Sequence, residues 1–369
     1  MSVDGSGGEQ NATESEPSET LLESLLATLD ADETREPWYR QVENTPTLDD
    51  DGSAAAIRWL RALADAKREG RAGRDEGSTT TATADTDCPV LAVLDAAHPF
   101  DELAHLGPAL DRRLGTIRRA RVVDGGSTHR VDVRALARPD SETPTDAFEA
   151  SLADQLDRWR AVGDIEGVVP VFDSGTRERP WVATASVGST VWNREDSLGL
   201  SLFHACRLTD ALATLHDRGV VHAGIDPGNV VYPITDDGER PAPAFHNVGL
   251  ADVYRRHTDP ARVLDPRYAA PEYFDQADGI VDRTTDIYQL GTLLYTLLTG
   301  DPPVEGSPAE IRETVLAGDL PSIAAHDQRL PDELDEILGR ATATDSFDRY
   351  DTAHDFHRDL TALCERLLE

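Results

Sequence analysis

Apolar positions along this chain change their spacing twice. Leu21, Leu22, Leu25, Leu26 and Leu29 recur at helical intervals with acidic residues between them, followed by Ile57, Trp59, Leu60, Leu63 and Ala64. Each set predicts a short amphipathic helix. The leucine stripe reads first as a packing face, with partner docking as the alternative. Residues 1–19 are mostly Gly, Ser, Glu and Asn, and 78–87 is the polar run STTTATADTD; these predict a disordered tail and a linker. From Cys88 to about residue 190 the runs PVLAVL, TIRRARVV, RVDVRALA, GVVPVFDSG and WVATAS are short and β-rich, and predict strands. One helical pattern interrupts them: Phe148, Leu152, Leu156 and Trp159 at i, i+4, i+8 and i+11.

Beyond residue 195 the pattern is mostly helical. Leu208, Leu212 and Leu215 mark a helix stopped by Gly219, Asp286 to Gly300 is apolar on nearly every face, and Phe356, Leu360, Leu363 and Leu367 form a last amphipathic stripe. A helix apolar all round belongs in the centre of its domain. The expected class is α+β and bilobal. An acidic, largely disordered region (1–87) with one or two short amphipathic helices precedes a small β-rich lobe with one main helix (88–190, including a preceding element at 88–112). A larger, mostly helical lobe (191–369) follows.

Composition narrows the partners. Acidic residues number 69 against 35 basic ones, for a formal net charge of -34, which argues against nucleic acid or an anionic membrane as a partner. Lys67 is the single lysine. Carboxylate excess with almost no lysine resembles the surface of a protein from a salt-accumulating organism, a halophilic archaeon, where salt screens self-repulsion. Cys88, Cys206 and Cys364 are far apart and form no C-x-x-C pair, so a zinc site or disulfide framework is not expected and Cys206 and Cys364 read as buried thiols. No apolar run is long enough to span a bilayer and MSVDGSGGEQ has no signal-peptide pattern, so a cytoplasmic protein is expected.

The segment VVHAGIDPGNVV at 220–231 carries the chemistry to be explained. LHDRGVVHAGIDPGN resembles the approach and catalytic loop of eukaryotic-type protein kinases, HRDLKPEN. AFHNVGLAD lies at the distance of the DFG segment, YAAPEYF supplies the APE motif, and DIYQLG and DSFDRYDTAHDF follow in order. The resemblance covers roughly residues 113–368 and implies a two-lobed kinase fold. It implies structural roles for His222 as a packed core residue, for a buried pair between Glu272 and Arg349, and for Asp286 as a brace on the catalytic loop.

At the chemical positions the resemblance fails. Phosphoryl transfer in this family needs a glycine-rich cover, a lysine on the phosphates with its glutamate, a catalytic aspartate and metal ligands. RRLGTIRRARVVDGG lacks the glycine-rich cover and predicts a tight, shortened turn. RVDVRAL puts Arg134 where the lysine belongs, and the glutamate position falls on Gln155, beside Asp154. Gly224 replaces the catalytic aspartate, Asp226 replaces the loop lysine, and Asn247 replaces the aspartate of DFG. Asn229, the family's metal-binding asparagine, remains, and a loop-capping role serves it equally well.

The main reading is a degenerate kinase, a pseudokinase acting as scaffold or allosteric regulator through an unidentified protein partner, with no catalytic or metal site and no required cofactor. ATP, with or without Mg²⁺, stays possible through Arg134, Asn229 and Asn247. Three alternatives remain. One is an active atypical Ser/Thr kinase using Asp226 as a displaced base, with Asn247 and Asn229 or Asp252 on the metal. Another is a small-molecule phosphotransferase, from the likeness of DPGN to H-G-D-x-H-P-G-N; the APE segment speaks against it. The third is a metal-independent nucleotide sensor that pairs a base with the backbone of WVATASVGS.

Overall fold

The structure is a computed structural model that describes residues 100–368 except 140–144, 177–179, 192–197, 235–241, 258–262, 276–279 and 324–329. The expected helices at 21–29 and 57–64, the run PVLAVL, Cys88 and the hydroxyl of Thr258 lie outside the described residues.

The small lobe is an antiparallel five-stranded sheet. Strands β1 (Glu102–Arg112), β2 (Gly115–Asp124), β3 (Ser127–Leu136), β4 (Val171–Gly175) and β5 (Trp181–Ala185) lie in the order β1-β2-β3-β5-β4. The β2–β3 hairpin turns on Gly125 and Gly126, with φ of 54° and 84°, the left-handed pair that a two-residue turn between twisted strands requires. The β1–β2 turn is equally short, since Arg112 pairs with Gly115 and leaves only Arg113 and Leu114 to reverse the chain. Gly115 permits this at φ 134°, and a Cβ there would sit 1.9 Å from the Ala135 carbonyl oxygen of β3. Strand β1 was not anticipated. Its register breaks between Leu106 and Leu110, and both leucines are exposed, so these apolar side chains do not mark a buried face.

Helix α1 (Thr145–Ala161) packs on this sheet. Phe148, Leu152, Leu156 and Trp159 are each 1% exposed or less; four side chains of that size bury enough apolar surface to hold the helix on the sheet at about 1.5–3 kcal/mol apiece. The Trp159 indole N–H donates to the Val169 carbonyl at 2.9 Å, satisfying the polar end of a buried ring. Strand β6 (Val187–Thr190) leads out of the lobe and pairs with β7 (Val230–Pro233), which pairs in turn with β8 (Ala244–Phe245).

The large lobe is helical: α2 (Leu198–Asp217), α3 (Leu250–Arg255), α4 (Pro271–Phe274), α5 (Arg283–Thr299), α6 (Pro308–Ala317), α7 (Glu333–Ala341) and α8 (Ala353–Leu368). Helix α5 is buried from Thr285 to Thr296. Asp282 caps its start, accepting from the Thr284 N–H at 2.7 Å while Thr285 Oγ1 accepts from the Asp282 N–H at 3.0 Å. Gly300 ends it in the left-handed conformation, the usual termination of a helix by glycine. Cys206 of α2 and Cys364 of α8 are buried thiols, not joined as a disulfide, with their sulfurs 3.5 Å apart. Between α4 and the loop before α8, Arg349 and Glu272 form a two-pronged pair at 2.9 Å on each prong. The guanidinium also donates to the carbonyls of Ala343, Thr284 and Thr344 and lies over the Tyr288 ring. The α+β, two-lobed class expected from the sequence is the class observed.

Candidate active-site cleft

Between the lobes lies a cavity of about 670 Å³ whose walls include β1, β2, β3, β6 and the loops after α2 and β8. On its large-lobe side it meets Gly228 and Asn229, the end of the segment from Val220 to Asn229. Asp286, at the start of α5, reaches up to that segment. One carboxylate oxygen accepts from the His222 N–H at 2.7 Å and from His216 Nε2 at 2.9 Å; the other accepts from the Ala223 N–H at 2.7 Å. These bonds hold Ala223 at φ 53°, a conformation that costs an L-residue roughly 1–2 kcal/mol. The Tyr273 hydroxyl, donating to the Ala223 carbonyl at 2.5 Å, fixes the other side of the same residue. His222 is wholly buried with neither ring nitrogen partnered, and burial pushes its pKa down, so it packs as a neutral ring against Phe245.

Around this brace the polar groups close on one another. Arg134 of β3 donates from Nη1 to Asn247 Oδ1 at 2.8 Å, Asn247 Nδ2 donates to Asn229 Oδ1 at 2.7 Å, and Asn229 Nδ2 donates to the Gly224 carbonyl at 2.8 Å. Arg134, Gly224, Asn229 and Asn247 are thus brought together in one relay. Asn247 stands at φ 61°, where asparagine is among the best-tolerated residues. Gln155 takes no part: its amide donates to the Val248 carbonyl at 3.1 Å and packs where a Cβ on Gly249 would lie. Asp154 points away, paired with Arg158. Burial lowers the Arg134 pKa to about 10, still cationic at neutral pH. That cation and burial together push the His246 pKa well below its usual value.

Asp226 is fully buried and its oxygens are engaged. Arg113, from the β1–β2 turn, pairs with Oδ2, which also accepts from the Asp265 N–H at 3.0 Å, and Oδ1 accepts from the Gly228 N–H at 2.9 Å. Leu114 beside it is 3% exposed and joins the core that continues into the large lobe. The turn that would cover a phosphate is therefore folded down and anchored. Asp252 is occupied by Arg255 and Arg256.

Two residues that sequence reasoning passed over also shape the cleft. Asp132 of β3 is 6% exposed and pairs with Arg119 of β2 at 2.9 Å. A carboxylate between the buried valines Val131 and Val133 was the signal available in RVDVRAL.

The family model for the protein kinase domain matches residues 201–368. Over its larger lobe this chain is similar to the protein kinase domain. The kinase named PknL of Mycobacterium bovis is 30% identical over 266 residues, covering 68% of this chain and 65% of the relative. PrkC of Bacillus subtilis, also named a serine/threonine-protein kinase, is 30% identical over 161 residues, 42% of this chain and 23% of the relative. The chain thus spans 65% or less of the length of these relatives. The crystal structure of the PknI kinase domain of Mycobacterium tuberculosis superposes with a TM-score of 0.51 at 23% identity, over 71% of this chain and 96% of that one. The fold is the kinase fold.

The residues of this cleft do not fit a magnesium nucleotide. Asn229 and Asn247 offer neutral amide oxygens already accepting hydrogen bonds, and Mg²⁺ sheds water reluctantly even for carboxylates. Among the described residues no group of three His, Cys, Asp or Glu side chains is placed to hold a metal ion.

Proposed function

We propose that this chain is a pseudokinase, a kinase fold without phosphotransfer that acts as a scaffold or allosteric regulator by binding other proteins. The supporting observation is the closed relay Arg134–Asn247–Asn229–Gly224. A base and metal carboxylates are what phosphoryl transfer requires, and at those positions the relay has amides and a glycine bonded to one another. Among the described residues no helix is long and apolar enough to cross a membrane, and a cytoplasmic setting in a salt-accumulating organism is proposed from composition; the relatives named above are bacterial. The protein partner is unidentified.

A second reading, an active Ser/Thr kinase with Asp226 as base, is favoured by the similarity to PknL and PrkC. It requires Asp226 to leave Arg113 and two backbone N–H groups. Radiolabelled ATP incubated with the full chain, casein and Mg²⁺ or Mn²⁺ in concentrated KCl separates the two. No label transfer is expected; transfer that disappears in Asp226→Asn would establish the second reading.

A further inference from the structure

Val187, the first residue of β6, lines the cleft, and both of its backbone polar groups are already taken. Its N–H donates to Asp132 Oδ2 at 3.2 Å, and its carbonyl accepts from Arg119 Nη2 at 2.5 Å. Arg119 and Asp132 sit opposite each other in the β2–β3 register, and the Ser186 hydroxyl adds a bond to Asp132 Oδ1 at 2.9 Å. A nucleobase edge carries an acceptor and a donor, side by side, that pair with backbone N–H and C=O groups. The Asp132 carboxylate and the Arg119 guanidinium offer that same pair from within the chain.

The rest of the cleft is cationic. In a chain of net charge -34, its walls carry Arg112, Arg113, Arg119 and Arg134 against a single carboxylate, Asp132, among the described residues. Arg113 and Arg119 have carboxylate partners. Arg134 is 7% exposed, its Nη1 donates to a neutral amide, and its Nε has no partner. A buried guanidinium that lines the cleft with no carboxylate bonded to it among the described residues is completed by an oxyanion, which it binds through charge-assisted bonds.

We propose that the cleft is the binding site of a small anionic ligand that carries no nucleobase. Arg119 and Asp132 occupy the place where a base would pair, and Arg134 holds the oxyanion. Phosphates and carboxylates share this chemistry. The proposal rests on the non-catalytic reading of the same cleft, and it is tested by binding rather than turnover, so the two succeed or fail separately.

The experiment is titration calorimetry of the full chain at matched KCl without divalent metal, using pyrophosphate, citrate, ATP and adenosine as probes. Pyrophosphate or citrate is expected to bind, their ratio showing which oxyanion is preferred, and Arg134→Gln weakens that binding by about tenfold or more. Adenosine does not bind, and ATP is no tighter than pyrophosphate by more than about threefold, because the base finds no partner. In the charge-neutral double variant Arg119→Ala/Asp132→Ala the Val187 groups are free, and ATP gains about tenfold over pyrophosphate. Adenosine binding to the unaltered chain, ATP about tenfold tighter than pyrophosphate there, or no binding of either pyrophosphate or citrate would each overturn the proposal. The unaltered chain decides alone should the double variant not fold.

Discussion

Ala251 stands in the space that a side chain at position 224 would need: a Cβ built on Gly224 would lie 2.6 Å from the Ala251 Cβ. The absence of a side chain at this loop position is therefore packed into the fold, because helix α3 occupies the space it would need. Restoring an aspartate there is a steric problem before it is a chemical one.

Gly224→Asp is accordingly expected to destabilise the domain by about 1–3 kcal/mol through overpacking, and to show no phosphotransfer even when combined with Asn247→Asp. Urea unfolding gives the first quantity and label transfer the second. Adding Ala251→Gly should recover part of the lost stability, since it removes the atom in conflict; unchanged stability in Gly224→Asp would mean that the loop yields more easily than its bracing by Asp286 implies.

The Glu272–Arg349 pair joins residues distant in sequence with both side chains 1% exposed or less. Glu272→Ala leaves the guanidinium buried without its counter-charge, a change expected to cost about 3–5 kcal/mol. The three carbonyls that also accept from Arg349 keep it in place, so the charge cannot escape to water. Because the pair is sealed from solvent, the loss measured by urea unfolding should change little between low and high KCl.

His222 and His246 are both buried, and burial lowers both pKa values from the ordinary 6.5. A histidine whose folded pKa is depressed contributes its full stability above the unfolded pKa and loses it as pH falls, since the unfolded chain then binds protons that the folded one refuses. Stability should be flat above about pH 7 and fall below pH 6.5, with these two groups contributing a slope of up to about 2.7 kcal/mol per pH unit. Chemical unfolding at stepped pH checks this. His246→Gln should roughly halve the slope in the window just below 6.5; an unaltered slope there would mean that His246 titrates normally.

Much of the architecture was legible before any coordinates. Phe148, Leu152, Leu156 and Trp159 announced α1 because a helix repeats its buried face every three to four residues, and DIYQLGTLLYTLLTG announced a helix buried on all sides. Glycines at 219 and 300 marked ends that the structure places just after α2 and α5. Strand β1 was not legible, since Leu106 and Leu110, the exposed apolar side chains at its break, do not mark the buried face by which a strand is recognised. In the cleft, the residue types at 134, 155, 224, 226, 229 and 247 could be read from the order of motifs, but not what each would bond.

The sequence by itself determined the class of fold and the identity of the residues at each chemical position, because local periodicity and ordered motifs are properties of neighbours along the chain. Tertiary structure alone decided that Arg113 seals Asp226, that Arg134 turns to Asn247 rather than to a carboxylate on α1, and that Asp132 and Arg119 occupy the backbone groups of Val187. The separations involved run from 55 to 113 residues, and buried polar groups must find partners wherever folding brings them together. No spacing rule encodes such partners, since the energy that selects them comes from desolvation and exists only once the cleft has closed around them.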